Sequence, residues 1–143
     1  MAEFLELNFN FSCQNLEPFF RSNEAAAELD TVLQLSAQII RGIIIEKISQ
    51  HGTGRIYKRG DIVHQASSPG DPPATDTGFL KSSIGINQEF LFAEIIANTN
   101  YAGFLEDGTS KMKARPYMKP SMEEAIPQVT TLFDAALRRV LKL

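Results

Sequence analysis

EAAAELDTVLQLSAQIIRGIIIEKISQ, residues 24–50, is the stretch on which the fold turns. Leu29, Val32, Leu33, Ser36, Ile39, Ile40, Ile43, Ile44 and Ile48 recur at steps of three and four. That is the period of one helix face, and it predicts a single long amphipathic helix. Ser22 or Asn23 suits its start, because a short polar side chain accepts from the free N–H groups there. Gly52 suits its stop. The isoleucine-rich second half has modest helix propensity, so burial has to hold it in place. Arg41 breaks the apolar run 39–45, which is far too short to span a membrane.

Outward from this helix the pattern changes. Residues 3–12 alternate: Leu5, Leu7, Phe9 and Phe11 point one way, Glu6, Asn8, Asn10 and Ser12 the other, as in a half-buried strand. Residues 49–78 hold five of the nine glycines and three of the seven prolines, which rules out long regular elements there. Within them, RIYKRGDIVH predicts a small hairpin turning at Arg59-Gly60-Asp61. SSPGDPPATDTG reads as irregular extended chain, since Pro72-Pro73 fixes the backbone. Asp76 or Thr77 is placed to cap a short helix ending near Ser82. Strands at 83–87 and 91–99 follow, joined at Asn87-Gln88-Glu89. A second amphipathic helix spans roughly 119–142, with Met122, Ala125, Ile126, Val129, Leu132, Phe133, Ala136, Leu137, Val140 and Leu141 on its apolar stripe. Glu123 and Glu124 near its start, and Arg138, Arg139 and Lys142 near its end, complement the helix dipole.

The elements do not alternate as βαβ units would. The expectation is an α+β fold: a small, mostly antiparallel sheet packed against a long helix from the N-terminal half and a C-terminal helix. At 143 residues it reads as one domain, 1–143, with 52–78 as an extended loop or hairpin arm.

Chemistry is hard to find in this pattern. His51 and His64 have no Ser or Cys partner at a motif spacing, and read as loop histidines rather than as parts of a degenerate nuclease or hydrolase. Cys13 is the one cysteine, which excludes an intrachain disulfide and leaves no zinc spacing. Glu106 and Asp107 are adjacent acids, and adjacency does not establish the facing geometry of a catalytic pair. Capping or salt bridging in a turn is the better reading of both. No catalytic residue, cofactor or metal is expected. Two basic clusters flank tyrosines: Arg55, Lys58 and Arg59 beside Tyr57, and Lys111, Lys113, Arg115 and Lys119 beside Tyr117. A small DNA-binding module using clusters 55–59 and 111–119 is therefore one reading. A net charge of -3 and a pI near 5.4 weigh against wholesale nucleic-acid coating.

The segment YAGFLEDGTSKMKARPYMKPS, 101–121, fits protein contact better. Tyr and Arg supply large contact area with a polar handle, and Pro116 and Pro120 reduce the entropy lost on docking. On these residues the chain resembles a tailed-bacteriophage family of tail components and neck proteins. The resemblance lies in Tyr101-Ala102, Glu106-Asp107-Gly108-Thr109 and Ala114-Arg115-Pro116-Tyr117-Met118, with a second match in HQASSPGDPPATDTGFLKSSI at 64–84. It implies a non-catalytic structural protein of the virion, assembled in the host cytoplasm. The place it implies is the head–tail junction, where the protein would complete or terminate the tail tube. It implies a ring of identical copies, most simply six. Neighbours would be the head-completion and tail-tube proteins, with genomic DNA passing through unread and no membrane involved. On that reading the interface residues are Tyr57, Ile62, Val63, Tyr101, Glu106, Arg115, Pro116 and Tyr117.

Overall fold

The computed structural model describes residues 5–8 and 23–142. The expected periodicity becomes helix α1, Asn23–Ile48. Ala25, Leu29, Val32, Ser36, Ile40, Ile44 and Ile48 are buried along one face, with Leu33, Ile39 and Ile43 half-buried beside them. Strand β1 is Leu5–Asn8; the rest of the expected strand at 3–12, and Cys13, lie outside the described residues. Strands β2, Ile56–Arg59, and β3, Ile62–Gln65, form the predicted hairpin, turning at Gly60-Asp61 with Gly60 at φ 61. Helix α2, Phe79–Ser83, leads into β4, Ile84–Glu89, and β5, Phe92–Ala97. A short helix α3, Ala102–Asp107, precedes the long α4, Met118–Leu141. The arrangement is α+β with two small antiparallel sheets: β1-β5-β4, and the separate β2-β3 hairpin.

The core forms where α1 meets everything else. Its isoleucines pack against Ile84, Ala93, Ile95 and Ala97 of the sheet, and the same cluster takes in Ala102, Tyr117, Met118 and Ala125. The alternation along β5, with Ala93, Ile95 and Ala97 buried and Phe92, Glu94 and Ile96 less so, is that of a strand with one face on the core. Arg41 reaches from α1 and its Nε donates to the carbonyl of Ile84 at 2.9 Å, tying the helix to the start of β4. α4 runs antiparallel along α1. Lys47 meets Glu124 at 2.5 Å near one end, and Arg139 meets Glu28 at 2.9 Å near the other. Such surface pairs contribute at most about 1 kcal/mol each, so they set register more than stability.

Several elements differ from expectation. The β4–β5 turn is Phe90-Leu91, not Asn87-Gln88-Glu89: Glu89 pairs with Phe92, and only two residues are left for the loop. The residue at Leu91 is left-handed, φ 57, and Asp30 of α1 accepts its N–H at 2.8 Å. α2 starts from left-handed Gly78, and Thr77 Oγ1 offers only a long 3.4 Å contact to the Phe79 N–H. α3 occupies part of what reads as loop, because Gly103 and Gly108 mask a single amphipathic turn that buries Ala102 and Glu106. Ile126 and Leu141 lie exposed on α4 rather than on its buried stripe, which keeps the expected Ala125 and Ala136 and adds Met118 and Ser121.

Residues 66–78 are held against the body, not extended from it. Thr75 Oγ1 donates to the carbonyl of Ile48 at the end of α1, Gly70 N–H to Ala114 at 3.0 Å, and Thr53 Oγ1 to Asp71 at 2.5 Å. Ser67 and Pro73 are buried. The part that stands clear is the hairpin 56–65. Among the described residues, no helix is long and apolar enough to cross a membrane.

Because Ile44 is fully buried where α1 meets the core, Ile44→Ala is expected to lower stability by about 2–5 kcal/mol through lost burial and the cavity left behind. Urea denaturation followed by circular dichroism measures it.

Candidate functional site

The residues of the 101–121 segment divide into those that build the backbone and a few, Tyr101, Leu105 and Arg115, that line a hollow. Glu106 is the builder. From the buried face of α3 its carboxylate accepts three successive backbone N–H groups at the start of α4: Tyr117 at 2.8 Å, Met118 at 3.0 Å and Lys119 at 2.9 Å. A helix leaves its first N–H groups without internal partners, and a negative charge there also meets the positive end of the dipole. The cap of α4 is thus supplied from another helix, and Tyr117 itself gives no side-chain cap.

The neighbouring residues make that reach possible. Gly108 turns the chain at φ 78, and a Cβ there would lie 2.7 Å from the Ala114 nitrogen, so no other residue fits. Thr109 Oγ1 accepts the N–H groups of Lys111 and Met112 at 3.2 and 3.0 Å, closing the loop. The Arg115 N–H donates to the carbonyl of Leu105 at 2.7 Å. Tyr117 is fully buried, and its hydroxyl has no hydrogen-bond partner among the described residues. Burial, then the charges of Glu106 and Tyr101, push its phenol well above the ordinary value of 10.0. Burial also raises Tyr101, whose ring lies 6.4 Å from that of Phe79.

Arg115 faces the other way. It is half-buried, its Nε is enclosed without a hydrogen-bond partner, and no described carboxylate pairs with it. It lines two adjoining hollows of about 260 and 590 Å³ that share His64, Ala66, Asp76 and Thr77. One wall is the β2-β3 hairpin, with Tyr57 and Ile62; another is the run from Pro73 to Lys81. His64 Nδ1 stands 3.8 Å from Asp76 Oδ1 across this trough.

The hairpin itself carries apolar side chains on both faces, among Lys58 and Gln65 on one and Arg59 and His64 on the other. Register puts Ile56 and Val63 on one side and Tyr57 and Ile62 on the other. All four are exposed, Ile62 at 65% and Val63 at 64%. Arg55 lies over the Tyr57 ring at 5.5 Å. Its root is tight: Gly54 N–H donates to Ala66 at 2.7 Å, and a Cβ on Gly52 would fall 2.0 Å from the Gln65 carbonyl oxygen.

Of the eight residues expected at an interface, Tyr57, Ile62 and Arg115 therefore gather around one trough, with Tyr101 lining its inner end, while Val63 is exposed on the opposite face of the hairpin. Pro116 is half-buried beside them, while Glu106 and Tyr117 are turned into the chain's own interior. Sequence reasoning passed over the Phe90-Leu91 tip. Phe and Leu are strand residues, and no Asn-Gly or Asp-Gly marks the turn, so the sequence carries no local signal for it.

Polar groups spent on shaping backbone, beside apolar side chains held out to solvent, define a small α+β scaffold that presents a hairpin. The chain belongs to the HK97-gp10-like family, described as "Bacteriophage HK97-gp10, putative tail-component", whose family model matches residues 14–108. It is thus a member of a bacteriophage tail-component family. No curated protein and no solved structure gives a significant match to the chain.

Two outcomes are expected of the clasp. Glu106→Ala should cost about 2 kcal/mol of stability, because three N–H groups lose a charged acceptor; urea denaturation checks it. Tyr117 governs alkaline behaviour. A phenol whose folded pKa is raised contributes stability that is present below the unfolded value and lost as pH rises above it. The protein should lose stability as pH climbs past about 10, and Tyr117→Phe should remove much of that loss. Thermal melts at stepped pH measure both.

Proposed function

We propose that the chain is a structural subunit of the neck, forming a ring at the head–tail junction that completes or terminates the tail tube and joins it to the head-completion ring. The observation that carries this reading is the β2-β3 hairpin, which holds four apolar side chains out to solvent, two on each face, beside an unpaired Arg115. An isolated two-stranded hairpin is marginal in water, and burying each of its large apolar side chains is worth about 1.5–3 kcal/mol. A neighbouring copy supplies that cover. Arg115, with a planar guanidinium suited to bidentate pairing, takes a carboxylate from the same neighbour.

The family resemblance suggests six copies, with the head-completion and tail-tube proteins above and below. Genomic DNA passes through the channel without being read, and a net charge of -3 keeps the wall from holding it. The work is structural, with no reaction assigned.

Imaging the neck of purified virions tests the proposal. A ring of this chain around the DNA channel is the expected result; a single copy, or a position elsewhere in the particle, overturns it. Salt-sensitive binding to duplex DNA by a monomer or dimer would favour a DNA-binding module instead.

Two sets of substitutions should separate folding from assembly. Ile62→Asp with Val63→Asp should leave the monomer's melting temperature nearly unchanged, because both side chains are already in water, and should block incorporation into tails. Arg115→Ala should weaken docking by about 2–5 kcal/mol, the loss expected when a buried carboxylate is left without its partner. Melting curves read folding, and the yield of joined heads and tails reads assembly. Loss of folding in Arg115→Ala would make the residue an internal one.

A further inference from the structure

The β4–β5 turn breaks the chemistry of its own geometry. A two-residue hairpin loop favours Asn and Gly, which enter left-handed backbone at little cost. Here the loop is Phe90-Leu91, and Leu91 sits at φ 57. Left-handed backbone is unfavourable for a leucine, whose Cβ crowds the following carbonyl oxygen. Phe90 is 67% exposed, the most exposed of the described large apolar side chains, and Leu91 is exposed beside it. The tip is nevertheless held in place, since Asp30 accepts the Leu91 N–H. A strained, braced turn that offers a phenyl ring to water is what a preformed docking element looks like. Glu89, exposed and adjacent, gives the tip a negative charge.

The trough around Arg115 is its complement. Lys58, Arg59, Lys81 and Arg115 line it against one described acid, Asp76, and Tyr57 and Ile62 supply an apolar wall. The tip cannot reach its own trough. Asp30 anchors the tip near the start of α1, and Ile48, the last residue of α1, lines the trough. About five turns of helix, roughly 27 Å, separate them.

We infer that the Glu89-Phe90-Leu91 tip of one copy inserts into the Arg115 trough of the next, with Glu89 pairing with Arg115 and Phe90 packing against Tyr57 and Ile62. This deepens the ring reading and rests on it. The contact is head-to-tail, each copy giving a tip and receiving one, which is the kind of interface that closes into a ring.

Cysteine cross-linking in assembled particles tests it. In a Cys13→Ser background, Phe90→Cys and Thr77→Cys place one thiol on the tip and one on the trough wall. Mild oxidation of purified virions should yield a ladder of covalent oligomers of this chain, and neither single cysteine should yield more than a dimer. Particles that contain the ring and give no ladder overturn the tip–trough contact while leaving the ring standing. Particles without a ring overturn both. If the double-cysteine chain is not incorporated, charge reversal decides. Glu89→Arg should fold normally and reduce tail joining at least tenfold, whereas Glu123→Arg, the same change at an exposed site on α4, should not. Equal joining by the two variants overturns the contact.

Discussion

The carboxylate of Glu106 is the constraint on which the lower half of the molecule depends. Three consecutive N–H groups at the start of α4 converge on it. Without that acceptor the helix would begin with buried donors and no water to satisfy them. Because the acceptor belongs to α3, the cap also fixes where α4 begins relative to the sheet. Tyr117 then falls into the core, and the next residue back, past Pro116, is turned outward. The orientation of Arg115 is a by-product of how α4 is capped. Its main chain is pinned to Leu105, so the guanidinium enters the trough from a backbone that has little freedom.

This explains why a segment rich in Tyr, Arg and Pro is mostly interior work. Glu106, Gly108, Thr109 and Tyr117 join α3 to α4, while Arg115, its Nε unpartnered, lines the hollow together with Tyr101. A composition typical of an interface and one typical of a tight internal clasp are nearly the same. What separates them is burial, which no linear pattern reports for so short a stretch.

The long elements were legible because their periods are long enough to be unambiguous. The α1 helix runs for 26 residues; of its expected stripe Leu29, Val32, Ser36, Ile40, Ile44 and Ile48 are buried, Leu33, Ile39 and Ile43 only half-buried, and the small Ala25, Ala26 and Ala37 are buried as well. The β2-β3 hairpin was legible from Gly60, and the α+β class from the order of elements. The short elements were not. α3 is six residues, fewer than two full turns, with Gly103 inside it. The turn at Phe90-Leu91 was hidden because its residues are those of a strand, and it is held by a carboxylate from α1 that only the tertiary fold brings near. Ile126 matched the α4 stripe by spacing alone; the helix turns its narrow buried side through small residues, Ser121, Ala125 and Ala136, and leaves Ile126 outside. At the site, the trough joins residues from the hairpin, the 73–81 run and the clasp, a gathering that no local pattern announces.

The hairpin's attachment has an evolutionary corollary. Residues 56–65 are joined to the body at their root, through main-chain bonds between Gly54, Arg55 and Ala66 and through a glycine at 52 that admits no side chain. Their own side chains are mostly in water and bear little of the fold's weight. The root is thus close to immutable while the blade is nearly unconstrained. A new blade can be exchanged onto the same root by recombination or by grafting, changing what the protein fits without asking the core to refold.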